Sequence, residues 1–177
     1  FADVITTEQL GGLLAGLPKM KGGSHQLVVT KRTPELADYQ QVLKERMDVI
    51  ANRKGSPEKG DDILLNVITD GRIAALDMRY LRPGLPSNPD SKLNTMIRDI
   101  IQIHKDTAKL EYMGADKVTP DPIKGGAQMV FSDLGFGAGI MARGFDAKSW
   151  FIKELVKGGV KRSEIAFMPD YKKSDDT

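Results

Sequence analysis

The sequence predicts an α/β fold in which parallel strands are joined by helices and preceded by a mainly helical region. Three observations predict it. Short apolar runs at Gln26–Lys31, Met129–Phe131 and Glu164–Met168 read as strands. Between them, apolar residues recur every three or four positions, as on one face of a helix. From Met129 onward the order is strand, helix, strand, which implies a right-handed parallel crossover. Two regions follow, residues 1–90 as an N-terminal arm with helices and residues 91–177 as the strand-bearing part.

Residues 1–24 carry Gly11-Gly12, Gly16, Pro18 and Gly22-Gly23 among leucines, which predicts an extended arm with a short helical turn near Thr7–Leu14. Leu27, Val28 and Val29 form the centre of the first strand. Thr33-Pro34-Glu35 is a helix start, with a capping hydroxyl, proline at the first helical position and an acid near the positive dipole end. The helix is expected to run to about Asn52, with Leu36, Tyr39, Leu43, Met47 and Ile50 on its apolar face. Asp61–Leu81 reads as helix bent or split at Asp70-Gly71, with Arg72 and Asp77 as an ordinary local ion pair or cap.

Pro83–Pro89 is a break. Asp90 or Ser91 caps a long helix with Leu93, Met96, Ile97, Ile100, Ile103 and Leu110 facing the core. A loop over 113–126 leads into the strand at Met129–Phe131. Asp146 caps a last helix bearing Trp150, Phe151, Leu155 and Val156, which stops at Gly158-Gly159. The final strand ends at Pro169-Asp170.

Composition bounds the function. The 177 residues hold 26 basic and 24 acidic side chains, a balance that does not by itself announce a nucleic-acid binder. With no cysteine, disulfides, thiolate chemistry and cysteine zinc sites are excluded. His25 and His104 lie far apart and in no metal-ligating spacing, so no metal site is expected. There is no leader pattern and no apolar stretch near the ~20 residues that cross a bilayer, which predicts a soluble cytoplasmic chain with no membrane partner. The opening at Phe1 and the charged tail Tyr171–Thr177 read as cuts through something longer.

Asp133-Leu134-Gly135-Phe136-Gly137-Ala138-Gly139 spells D-x-G-x-G-x-G directly after a strand. One reading is a cofactor loop of the S-adenosylmethionine-dependent methyltransferase kind, with Asp133, Gly135, Gly137 and Gly139 around the ligand, because glycines let backbone approach closely. The following context departs from that pattern: Ile140–Phe145 intervenes, and the next strand-ending acid, Asp170, comes 31 residues after Gly139. The other reading is a strand whose exit loop touches a nucleic-acid backbone. No G-x-x-x-x-G-K-[ST] is present, so this chain alone is not expected to bind and hydrolyse ATP.

Gly60–Leu64, Thr69–Arg79, Ser91–Asn94, Gln128–Leu134 and Glu164–Asp170 resemble, in that order, blocks of large helicase-like proteins of phages, plasmids and conjugative elements. These are superfamily 2 motors of Swi/Snf-like type, often fused to a DNA methylase. The resemblance implies the front part of a second RecA-like lobe, with Ser91–Leu110 leading into helicase motif IV at Gln128–Asp133. It implies DNA as partner, with Ser132 on a backbone phosphate and Arg143 and Lys148 as nearby charges. The first RecA-like lobe and the ATP- and Mg-binding elements would lie elsewhere in the parent, leaving this chain inactive alone and without a cofactor of its own. Two alternatives stay open: part of an S-adenosylmethionine-dependent DNA methyltransferase, and a noncatalytic interaction module using Pro34–Leu81.

Overall fold

The computed structural model describes residues 23–114 and 116–170. Its regular elements are all helices among the described residues. Helix α1 spans Pro34–Ala51, α2 Leu64–Leu76, α3 Lys92–Thr107, α4 Ala138–Met141 and α5 Ala147–Lys157. Single 3₁₀ turns lie at Met78–Tyr80, Arg162–Glu164 and Met168–Asp170.

Three helices, α1, α3 and α5, begin where the sequence marks them, while α2 starts at Leu64 rather than Asp61 and has no side-chain cap. Thr33, Ser91 and Asp146 each accept a hydrogen bond from the backbone N–H three residues on, at Leu36, Asn94 and Ser149. Each cap satisfies one of the N–H groups that a helix start leaves without an intrahelical partner. At the other end, α5 stops at Gly158, and Gly159 takes a φ of +103°, a conformation that favours glycine.

Helix α2 departs from expectation. It runs through Asp70-Gly71 without a break and ends at Asp77, whose φ of −164° and ψ of 130° are extended. Gly71 serves packing: a Cβ there would lie 3.2 Å from Leu43 Cδ1, so the missing side chain lets α1 approach α2. Likewise a Cβ at Gly158 would sit 2.2 Å from Ile101 Cδ1, where α5 crosses α3.

Two apolar clusters share Met96, Phe136 and Trp150. The first centres on Ile73, Tyr80, Leu93 and Ala147, so it draws on residues from both sides of position 90. The second centres on Ile97, Phe151, Leu155 and Val160. Of the apolar face expected on α3, Leu93 and Ile97 are buried, while Ile103 and the following Leu110 are exposed. In the last helix Val156 is exposed as well.

The expected α/β fold with parallel strands, and with it a RecA-like lobe, is overturned. Among the described residues there is no strand or sheet, and the one β pairing is an isolated antiparallel bridge between Met113 and Pro120. Gln26–Lys31 and Met129–Phe131 are irregular, and Glu164–Met168 joins two 3₁₀ turns. The physical reason is that, among the described residues, these runs have nothing to pair with or pack under. Leu27 is 83% exposed, Met129 84%, Phe131 87% and Met168 84%, so the apolar run that suggested burial is not buried. The last run is tied down only in part, through Ile165 and Phe167 against the second cluster. The arm over 1–22 and the tail after Asp170 lie outside the described residues. No helix among the described residues is long and apolar enough to cross a membrane.

Gly135 fixes the loop that follows Phe131. Its φ is +99°, and a Cβ there would lie 2.5 Å from Tyr80 Oη and 2.8 Å from Leu76 Cδ2. Gly135→Ala is expected to destabilise by about 2–4 kcal/mol, from positive-φ strain plus overpacking. Tyr80 Oη is buried without a hydrogen-bond partner among the described residues, so Tyr80→Phe should stay within about 1 kcal/mol of wild type. In the Tyr80→Phe background the Gly135→Ala cost should shrink. Strictly additive costs in urea unfolding would contradict this packing.

Candidate functional site

The Asp133–Gly139 loop backs onto the core. Gly135 takes up the space against Tyr80 and Leu76, and Phe136 enters both apolar clusters. Beyond it, Gly137 and Gly139 have nothing within 4 Å of the position a Cβ would occupy. The end of the loop is itself helical, since the four-residue α4 takes in Ala138 and Gly139, where the sequence suggested no helix. The glycine whose smallness this structure uses is therefore Gly135, and its neighbour is a tyrosine.

Each candidate residue has its own partner. The Ser132 hydroxyl donates to the Leu134 carbonyl at 2.6 Å, a local bond at the start of the loop. Asp133 is exposed, with Arg72 Nη2 3.9 Å from its carboxylate. Arg143 donates from Nη1 to Asp70 Oδ1 at 2.9 Å. Lys148 pairs with Asp170, and its ammonium lies 5.1 Å from the centre of the Phe167 ring. No hydrogen bond or ion pair links Ser132, Arg143 and Lys148 to one another among the described residues.

Asp70 also belongs to a charge cluster on α1 and α2. Arg46 donates to Asp70 at 2.9 Å and forks onto both oxygens of Asp62 at 2.6 and 3.0 Å. The Arg46 guanidinium holds the Asp62 carboxyl below the usual carboxylate range. Burial raises the neighbouring Tyr39 phenol, and the charge of Asp70 adds to the effect.

The strongest polar feature is one that sequence reasoning missed. Asp77 and Arg79, only 4% and 5% exposed, form a two-pronged ion pair, with Nε on Oδ1 and Nη2 on Oδ2, both at 2.9 Å. The Arg79 backbone N–H donates to the same Oδ1 at 3.0 Å. The guanidinium carbon lies 4.3 Å from the centre of the Phe145 ring and 4.0 Å from that of Trp150. Arg72, the partner expected for Asp77, faces Asp133 instead. The available signal was the opposite charges at Asp77 and Arg79, two apart inside an apolar run. Next to this pair, burial pushes the Tyr80 phenol up, and the charge of Asp77 adds to the rise.

Among the described residues, His, Asp and Glu form no group of three that could hold a metal ion. No protein-family model matches the chain, and neither does any curated protein or solved structure.

Removing one partner of a buried, forked pair leaves the other charge unpaired, at a cost of about 3–5 kcal/mol. Asp77→Ala should therefore destabilise by that amount in urea unfolding. Replacing both charges together, Asp77→Leu with Arg79→Met, should cost less than Asp77→Ala alone. A double variant as destabilised as the sum of its singles would show that the pair is not coupled.

Proposed function

We propose that this chain is a helical part of a helicase-like, ATP-dependent DNA translocase of the superfamily 2, Swi/Snf-like type, contributing contacts to the DNA backbone. ATP and Mg are handled by the first RecA-like lobe and other elements of the parent, and the setting is cytoplasmic. The sequence blocks that resemble that family support the reading.

The observation that carries it is the anchoring of the loop after Phe131. Gly135 against Tyr80 at one end and Phe145 against Arg79 at the other hold it to the core. Ser132 and Arg143 are thereby kept at the surface, with Lys148 just beyond. Arg143 and Lys148 are paired with Asp70 and Asp170, and on this reading a backbone phosphate takes the place of those carboxylates. The exposed side chains of Met129, Phe131 and Met168 support a further neighbour, which on this reading is the remainder of the parent.

Binding through two cations should be weak and salt-sensitive. Anisotropy with a labelled duplex should show about a tenfold loss of affinity between 50 and 200 mM salt, from a slope near −0.9 per neutralised phosphate. Arg143→Gln with Lys148→Gln should flatten that slope by about 2. No binding at 50 mM salt, or an unchanged slope in the double variant, would contradict the proposal. Heat on titration with S-adenosylmethionine that vanishes in Asp133→Ala would replace it with the methyltransferase reading.

A further inference from the structure

Asp70 stands between two arginines from distant parts of the chain. Arg46 donates from Nη1 to its Oδ2 and Arg143 from Nη1 to its Oδ1, both at 2.9 Å. The Asp70 side chain is 17% exposed and that of Arg143 41%, so the arginine is the partner open to solvent. We propose that Asp70 and Arg46 form a clasp on Arg143, which withholds its guanidinium until a DNA backbone phosphate takes it. The inference rests on the translocase reading, in which Arg143 meets DNA. It makes Asp70 and Arg46 positioning residues that touch no DNA themselves.

The clasp can open because Asp70 has a second partner. A carboxylate with so little access to water cannot cheaply lose every counter-charge. When Arg143 leaves Oδ1, Arg46 still holds Oδ2. Arg46 is itself fixed in place. Its Nε and Nη2 fork onto Asp62 at 2.6 and 3.0 Å, and Nη1 also donates to Tyr39 Oη at 3.3 Å. A planar guanidinium whose edges are all engaged in this way has one favoured position. Asp170, the partner of Lys148, is exposed and needs no such second cation.

Arg143 is built to move, but only at its side chain. Its backbone N–H donates to the Ile140 carbonyl at 3.1 Å, and Gly144 follows with a φ of +109°. Phe145 then packs against the first apolar cluster. Among the described residues Asp70 is the one side-chain partner of Arg143. A pair this open to water favours the closed state by only roughly threefold. A phosphate offers the guanidinium the same paired oxygens as a carboxylate, on a backbone that attracts cations strongly. The exchange therefore favours DNA when DNA is near, and Asp70 sets the threshold.

The test is anisotropy with a labelled duplex at 50 mM salt, on variants whose helical circular dichroism matches wild type. Asp70→Asn should bind about threefold more tightly, and the gain should vanish in the Arg143→Gln background. Arg46→Lys keeps the net charge, but an ammonium cannot fork onto Asp62 and hold Asp70 as well. It returns Asp70 to Arg143 and should weaken binding about twofold. Unchanged or weaker binding in Asp70→Asn would overturn the clasp and leave the translocase reading standing. A gain that persists without Arg143 would do the same, as an effect of net charge alone. No binding by any variant would contradict the translocase reading, and the clasp with it.

Discussion

The fold depends on a charge placed where charges seldom go. Asp77 ends α2 by turning extended, and its carboxylate then captures both the side chain and the backbone N–H of Arg79. The captured guanidinium lies over Phe145 and Trp150, two residues that precede and begin α5. One short segment therefore stops a helix, starts a 3₁₀ turn and fastens the C-terminal helix. The intervening geometry sends Tyr80 into the first apolar cluster, where it meets Leu93 and Ala147. Taking two ions out of water is repaid only by near-complete pairing. The forked bonds, the backbone donor and the aromatic faces supply that pairing.

The consequences reach the loop that first drew functional interest. Because Tyr80 is fixed by its neighbour Arg79, Gly135 must pass it without a side chain and with positive φ. Spelling alone cannot separate that requirement from a glycine kept clear for a ligand. Both need a missing Cβ, and they differ only in what stands opposite. The same ambiguity affected Asp70-Gly71, read as a break, although Gly71 is the place where Leu43 of α1 comes close.

The helices were legible because their signals are local. Thr33-Pro34, Ser91, Asp146 and Gly159 act within one turn of themselves, and each behaves as its chemistry dictates. Strands are not local. A run such as Met129-Val130-Phe131 becomes a buried strand only if another segment pairs with it, and none among the described residues does. The Asp77–Arg79 pair was hidden for a related reason: two charges two residues apart usually face water, and the aromatic rings that lie against the Arg79 guanidinium come nearly seventy positions later. The surface candidates Arg143 and Lys148 were visible as cations, but their partners Asp70 and Asp170 come from distant positions that periodicity does not connect.

The most direct test of the central claim is the behaviour of the Arg79 Nε–H in ¹⁵N NMR. If the guanidinium is buried, forked onto Asp77 and set over two rings, this proton should exchange with water far more slowly than those of exposed arginines such as Arg98. Its resonance should also carry the ring-current displacement of Phe145 and Trp150, and lose part of it in Trp150→Leu. An Arg79 Nε–H that exchanges at the rate of an exposed arginine and shows no such displacement would contradict the account at its base.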